Sequence, residues 1–372
     1  MSRKKGRSDD VVEMINRFSI GNIERIECGI KPIDMFFGGD ISKPGFIKGK
    51  FYSISGPNGV GKSTFVMELV RRFVEQGKFV VYCDIENGLN ENILKSMGLM
   101  DYVILSVDKI DRLREGGLLI INPRTFSNIA KLFKGLIDRG VRVDVGVIDS
   151  LKAILPSALD ENVDLIESGG GIGLNARSQE NFLPFMKNLF SGNNILGIFI
   201  NQMRMKITSF GGFLSEPQSN AFLYNMDVRC IMREVKDGSI KVKVRNIRNE
   251  VIEKKVGNWV DISIVKGRLG NSFSVLSIPL IFGKGVSLIY LYREILSNKG
   301  FIKIAGVRSG SLLDIGVLLD ALGSYGEVDM SVVRDSGVVK YPDGLNEFIR
   351  SNVGVIEEMI IGLGLMNIEE EV

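Results

Sequence analysis

The residue run with the clearest chemistry is Gly56-Pro57-Asn58-Gly59-Val60-Gly61-Lys62-Ser63, followed by Thr64. Its spacing, G-x-x-x-x-G-K-[ST], is that of a loop that cradles phosphate. Glycines let backbone N–H groups wrap the anion, and the start of a helix adds positive potential. In such a loop Lys62 reaches the β- and γ-phosphates of a nucleotide, and the Ser63 hydroxyl ligates Mg²⁺. Two carboxylates complete a candidate set. Asp149 closes the apolar run Val143–Ser150, where it is suited to hold Mg²⁺ through water. Glu86 closes Lys78–Glu86, where it would orient and deprotonate an attacking water. The competing readings are a glycine-rich turn that merely matches the pattern and surface acids at strand ends.

The flanking segments supply the elements that this chemistry needs. Phe51, Tyr52 and Ile54 form a short apolar run ahead of the loop, as a buried strand does. Phe65, Met67, Leu69, Val70 and Phe73 put an apolar face on a helix beginning near Lys62. Lys78–Glu86 and Val143–Ser150 read as parallel strands buried on both faces. Tyr102–Val107 and Leu118–Ile121 read as further strands, and Glu91–Met97 as a short helix. Thr125–Arg139 reads as a helix with Ile129, Leu132, Phe133, Leu136 and Ile137 inward. This alternation predicts an α/β doubly wound, mainly parallel sheet.

Composition narrows the function. The 372 residues are 45% hydrophobic and 24% charged, with a formal net charge of +3, so any polyanion must be met by local clusters. There is no histidine, which removes histidine triads, metal sites and proton shuttles. Cys28, Cys83 and Cys230 lie too far apart for a disulfide framework or a CxxC metal site. No apolar run is long enough to span a membrane, no leader pattern opens the chain, and a cytoplasmic location is expected.

Two stretches, Pro156–Gly173 and Lys206–Ser219, read as long loops, each following a core strand. They are expected to emerge together at the carboxyl ends of the strands, where ligands bind. Arg177, Arg204 and Lys206 flank them and suit a phosphate backbone. Further on, Met226–Val235 and Ser239–Arg245 read as a hairpin turning at Asp237-Gly238, and Trp259–Val265 and Ser274–Phe282 as more strands. The span Arg233–Lys255 is charged with mixed sign. A basic tail and a short amphipathic helix over Asp9–Phe18 open the chain. That helix cannot bury its face alone and needs a docking surface. Val286–Ser297, Gly310–Gly323 and Gly344–Gly364 carry helical patterns. The expected organisation is a tail and helix over 1–26, a core over 27–284, and a small α+β domain over 285–372.

Several segments resemble the bacterial RecA recombinases and their phage homologues. Phe199–Ile207 (FINQMRMKI) is the sharpest, followed by Gly173–Arg177 (GLNAR), Gly21–Ile26 (GNIERI), Val265–Leu269 (VKGRL) and Ile278–Gly285 (IPLIFGKG). The likeness covers about residues 10–300 and is weak beyond. It implies a RecA-like ATPase core binding ATP and Mg²⁺, and a head-to-tail helical filament on single-stranded DNA that then pairs with double-stranded DNA. Glu86 becomes the catalytic carboxylate, with Lys62, Ser63 and Asp149 in the roles given. Gln202 resembles the family's γ-phosphate sensor. Lys266 and Arg268 resemble the cationic pair that reaches the neighbour's ATP, a role worth about 10³–10⁵ in rate in related enzymes. Arg177, Arg204, Met205, Lys206, Ile207 and Asn220 fall at or beside the family's DNA contacts. Departures are Ile93, where the family stacks a tyrosine on adenine, and Gln218-Ser219 in place of a glycine pair. The segments Asp108–Gly117 and Arg233–Lys255 have no clear counterpart. A hexameric RecA-fold helicase, an ABC-type ATPase and a non-catalytic recombinase paralogue acting as a DNA-binding regulator are the alternatives. FINQMRMKI argues against the first. The poor signature match at Ser168-Gly169-Gly170-Gly171 argues against the second, and the full set Lys62, Ser63, Glu86, Asp149 and Gln202 against the third.

Overall fold

The computed structural model describes residues 23–39, 43–104, 116–155, 171–208, 211–216, 219–245, 248–268, 274–299, 312–314, 316–331, 338–340 and 343–363. The expected N-terminal helix and most of the first long loop lie outside these residues.

In chain order the opening elements are strand β1 (Arg25–Ile26), helix α1 (Lys31–Gly38), β2 (Phe46–Ile47) and β3 (Phe51–Gly56). Next come α2 (Lys62–Glu75), β4 (Phe79–Asp84), α3 (Glu91–Ser96), β5 (Gly117–Ile121), α4 (Phe126–Asp138) and β6 (Val145–Asp149). Then follow α5 (Gly171–Gly192), β7 (Leu196–Gln202), β8 (Arg204–Thr208), β9 (Gly211–Ser215) and α6 (Asn220–Asn225). Two long strands, β10 (Val228–Arg245) and β11 (Val251–Gly267), precede β12 (Val275–Ile281), β13 (Gly285–Val286) and α7 (Leu288–Asn298). The closing elements are β14 (Leu312–Asp314), α8 (Gly316–Leu322), β15 (Val338–Lys340), α9 (Asp343–Ser351) and α10 (Val353–Gly362).

Nine strands form one sheet in the order β13-β12-β11-β10-β3-β7-β6-β4-β5. From β10 to β5 every neighbouring pair is parallel, and the other edge is antiparallel. The period of two in the core strands sorts their side chains into two layers. Tyr52, Ile54, Val80, Tyr82, Val145, Val147, Ile198 and Ile200 face one core, which α2 and α1 cover. Phe51, Phe79, Val81, Ile148 and Phe199 face the other, closed by Ile129 and Phe133 of α4 and by Met186 and Phe190 of α5. A third cluster joins Tyr292 and Leu296 of α7 to Leu318, Leu345, Phe348, Ile356 and Met359.

Three expectations change. Asp237-Gly238 is not a hairpin turn. β10 runs straight through it, and the ladder shifts register between Glu234 and Ser239, with Asp237 at φ 60°. The two residues form an irregularity that is absorbed because β11 pairs on both sides of it. Arg245 pairs with Val251, so the described residues of Arg233–Lys255 belong to one two-stranded ribbon. Likewise Lys206–Ser219 is not structureless. Arg204–Thr208 pairs antiparallel with Gly211–Ser215, since two short extended runs can satisfy their backbone groups against each other. Before β5, Met100–Tyr102 forms a 3₁₀ turn and Val103 only bridges to Leu118, where the start of a strand over Tyr102–Val107 was expected; residues 105–107 lie outside the described residues.

Phe190 packs edge-on against Phe51 at 5.6 Å and against Phe133 at 4.8 Å, tying the loop-bearing strand to both covering helices. Phe190→Ala is expected to destabilise the fold by about 3–5 kcal/mol, read as a lower midpoint in urea.

Candidate nucleotide site and its neighbouring hairpin

The site forms where β3 ends and α2 begins. The turn between them needs left-handed backbone at Gly59 (φ 78°) and Gly61 (φ 97°), which side-chain-bearing residues adopt poorly. At Gly61 a Cβ would also sit 2.8 Å from Leu280 Cδ1. Lys62 opens α2 and folds its ammonium back over the loop, donating to Gly56 O at 3.0 Å and Pro57 O at 2.7 Å. Burial holds that ammonium below the usual lysine range, against the raising pull of Asp149 and Glu86. A group so placed gains from a phosphate anion arriving beside it.

Parallel pairing brings the acids across from the loop. Asp149 ends β6, beside Asp84 at the end of β4. Its Oδ2 accepts from Ser63 Oγ and from Tyr82 Oη, both at 2.7 Å. Burial raises the Asp149 carboxyl above the ordinary aspartate range, although both hydrogen bonds pull it down. Glu86 lies just past β4, and its Oε1 accepts from Ser150 Oγ and from Gln202 Nε2, the latter at 2.6 Å. Gln202 ends β7, and its Oε1 accepts from Lys152 Nζ at 3.0 Å. Asn58, Gly59, Gly61, Lys62, Ser63, Thr64, Glu86, Asp149, Ile200 and Gln202 line one cleft of about 390 Å³. Val60 is buried beneath it. The predicted loop residues, both acids and Gln202 are therefore brought together.

The donors fit a magnesium-bound triphosphate. Ser63 Oγ and a buried, oxygen-only Asp149 face each other, as hard-cation ligands do, and the loop amides and Lys62 face the anion. Sequence reasoning missed three neighbours: Tyr82, Ser150 and Lys152. Tyr82 is a polar tip inside an apolar strand, which is a readable signal. Ser150 and Lys152 carry none, because only the folded ends of β6 and β7 bring them to Glu86 and Gln202.

Gln202 leads through Met203 into the β8–β9 hairpin, so the hairpin starts at the cleft. Its far end returns to the same strand as the loop. Buried Glu216 accepts from Ser55 Oγ, one residue before Gly56, and from Arg229 Nη2. Ser219 then caps α6, accepting from Phe222 N at 3.1 Å and donating to Gln179 Oε1 of α5 at 2.8 Å. Arg177 and Asn220 are exposed near that junction. Arg204, Met205, Lys206 and Ile207 lie along β8, opposite Ser215, Leu214, Phe213 and Gly212 in the ladder. Ile93, in α3, packs partly buried against the first core.

Lys266 and Arg268 are not in this cleft. Gly267 pairs with Val228, and Val228 with Tyr52, so they sit at the amino end of β3, roughly 13 Å along the strand from Gly56.

A parallel α/β sheet with a glycine-rich loop at the carboxyl end of a central strand, facing two acids on adjacent strand ends, defines the P-loop nucleotide-binding class. Within that class this chain belongs to the RecA N-terminal domain family, which matches residues 4–287. It is 26% identical over 365 residues to Protein RecA of Rhodospirillum rubrum, covering 95% of this chain and 85% of that protein. It is 27% identical over 370 residues to Protein RecA of Rhizobium etli, covering 97% and 86%. For Protein RecA of Brucella abortus the identity is 28% over 365 residues, covering 96% and 86%. Family membership makes the chain an enzyme of the P-loop NTPase type.

Removing Glu216 would leave the largely buried Arg229 guanidinium without its carboxylate. Glu216→Ala is expected to destabilise the fold by about 3–5 kcal/mol in urea denaturation, and a change within about 0.5 kcal/mol would contradict the pairing.

Proposed function

We propose that this chain is an ATP-dependent DNA recombinase. It polymerises on single-stranded DNA and exchanges strands with a homologous duplex in recombination and repair. The observation that carries this reading is the hydrogen bond from Gln202 to Glu86. It joins the residue placed to activate water to the residue that leads into the β8–β9 hairpin, so one contact spans the nucleotide cleft and the candidate DNA element. Family membership and relatives named Protein RecA along nearly the whole chain support the same reading. No observation favours a ring helicase or a non-catalytic regulator.

In this reading the loop amides and Lys62 bind the triphosphate, and Ser63 with Asp149 holds Mg²⁺. Bound there, the ion neutralises charge on the β- and γ-phosphates. Glu86, oriented by Ser150 and Gln202, takes the proton from the water that attacks the γ-phosphate. Gln202 gives up one of its present partners to touch the γ-phosphate, and its backbone carries that change into the hairpin. Arg204, Lys206, Arg177 and Asn220 meet DNA phosphates, while Met205 and Ile207 wedge between bases, so the duplex is tested by base pairing and not by protein readout. Lys266 and Arg268, too far from their own loop, serve the ATP of the next subunit. The N-terminal segment ahead of β1 docks on a neighbouring copy, while Arg25 and Ile26 pair with β2 of their own chain. A docking contact of this open kind grows a helical filament. We assign the ATPase core to 27–284 and a small domain to 285–372, which the separate third cluster supports. No helix among the described residues is long and apolar enough to cross a membrane. A cytoplasmic setting suits an ATP-driven DNA protein.

Glu86→Ala is expected to bind ATP and DNA normally while turnover falls by about 10²–10⁴-fold, read by phosphate release. Electron microscopy of the wild type on single-stranded DNA with a slowly hydrolysed ATP analogue is expected to show helical filaments. Closed rings would contradict the assignment.

A further inference from the structure

Three cations converge on the end of α6, at the sheet edge opposite the phosphate loop. Lys266 Nζ donates to Leu223 O, Arg268 Nη2 to Tyr224 O at 3.0 Å, and Lys187 Nζ to Asn225 O at 2.6 Å. These are the last three carbonyls of the helix, a place that favours positive charge. One buried carboxylate supplements them. Asp227 Oδ1 lies 3.0 Å from Lys187 Nζ and 3.5 Å from Arg268 Nη1. Its Oδ2 accepts the Phe51 N–H at 2.9 Å, and Phe51 opens the strand that ends in the phosphate loop.

Among the described residues the cluster holds more cations than carboxylates. Arg229 stands opposite Lys266 in the ladder, and its own carboxylate is Glu216. Burial first, and then Arg268, Arg229 and Lys187, hold the Lys266 ammonium below the lysine range. A surplus of cations at a partly exposed edge fits a polyanion brought by another molecule. The other end of α6 is tied to the DNA side. Ser219 caps it and bonds Gln179, and Asn220 is its exposed first residue. Six residues, about 9 Å of helix, thus separate the exit of the hairpin from the cations.

We propose that Asp227, together with the carbonyl end of α6, is the positioning residue for Lys266 and Arg268. It sets where that pair meets the triphosphate held by a neighbouring copy of this chain. The proposal rests on the function given above and adds a route for regulation. DNA that orders the hairpin fixes α6, and the cations follow because α6 carbonyls hold them. Asp227 also ties the pair to Phe51, so the start of each subunit's loop strand is joined to the group that serves its neighbour.

The test uses mixed filaments on single-stranded DNA. Wild type is diluted into a large excess of Glu86→Ala protein, which binds ATP without hydrolysing it and presents its cations to wild-type neighbours. Turnover per wild-type subunit is expected to survive this dilution. When the diluent also carries Asp227→Asn, which keeps an acceptor for Phe51 N–H but no charge, turnover per wild-type subunit is expected to fall about tenfold. In a diluent that already carries both Lys266→Gln and Arg268→Gln, adding Asp227→Asn is expected to cause no further loss, because a positioning residue acts through its partners. If Asp227→Asn does not fold, Asp227→Ser replaces it with the same outcomes. Equal turnover in the Glu86→Ala diluent with and without Asp227→Asn, or a further loss on top of the Lys266→Gln, Arg268→Gln pair, would overturn the proposal. Wild-type turnover that ignores DNA before any mixing would overturn the functional reading, and the proposal with it.

Discussion

A hydrogen bond of 2.6 Å between Gln202 Nε2 and Glu86 Oε1 depends on most of the architecture around it. Glu86 is at its place because β4 ends next to β6, and Gln202 because β7 lies on the far side of β6. All three strands are parallel, so their carboxyl ends share one edge, and the phosphate loop joins that edge from β3. Parallel strands need both faces covered, and the two aromatic-rich cores do that. Loosening either core would shift strand ends relative to one another. A contact this short tolerates little of that.

The same polarity explains what the cleft lacks. β11 runs antiparallel to β10, so it delivers Lys266 and Arg268 to the amino end of the loop strand. A single subunit thus carries a phosphate site at one edge of its sheet and a cation cluster at the other. Two such edges cannot meet within one chain. In the proposed filament, head-to-tail stacking of copies would bring them together in an arrangement that repeats without closing. Buried Asp227 and Glu216 belong to this logic. Asp227 binds cations near the amino edge and touches β3 through Phe51 N, while Glu216 binds Arg229 and touches β3 near its carboxyl end through Ser55. The loop strand is held along its length by charges that have other business.

Much of this was legible in the residues. The loop motif, the apolar strands ending in acids and the helix over Thr125–Arg139 were readable because burial on both faces leaves continuous apolar runs. Asp149 and Glu86 stood out as polar ends of such runs, whereas Gln202 was marked only by its resemblance to the family's γ-phosphate sensor. The hairpin at Arg204–Ser215 was not readable, because glycines and mixed polarity hide a ladder whose stability comes from pairing. Asp237-Gly238 misled for the opposite reason. The dipeptide is a strong local turn signal, but pairing along β11 on both sides holds the strand through it. Ser150, Lys152 and Asp227 were invisible, since their partners are 64, 50 and 176 residues away and meet them only in the folded sheet.

The central claim is that Gln202 couples the nucleotide cleft to the DNA hairpin, and the most direct measurement is ATP turnover of Gln202→Ala with and without single-stranded DNA. The account predicts that the variant still binds ATP and keeps a slow DNA-independent turnover, while the acceleration by DNA expected of the wild type is lost. Acceleration by DNA as strong in Gln202→Ala as in the wild type would contradict it, because the signal would then cross between the two sites by some other route.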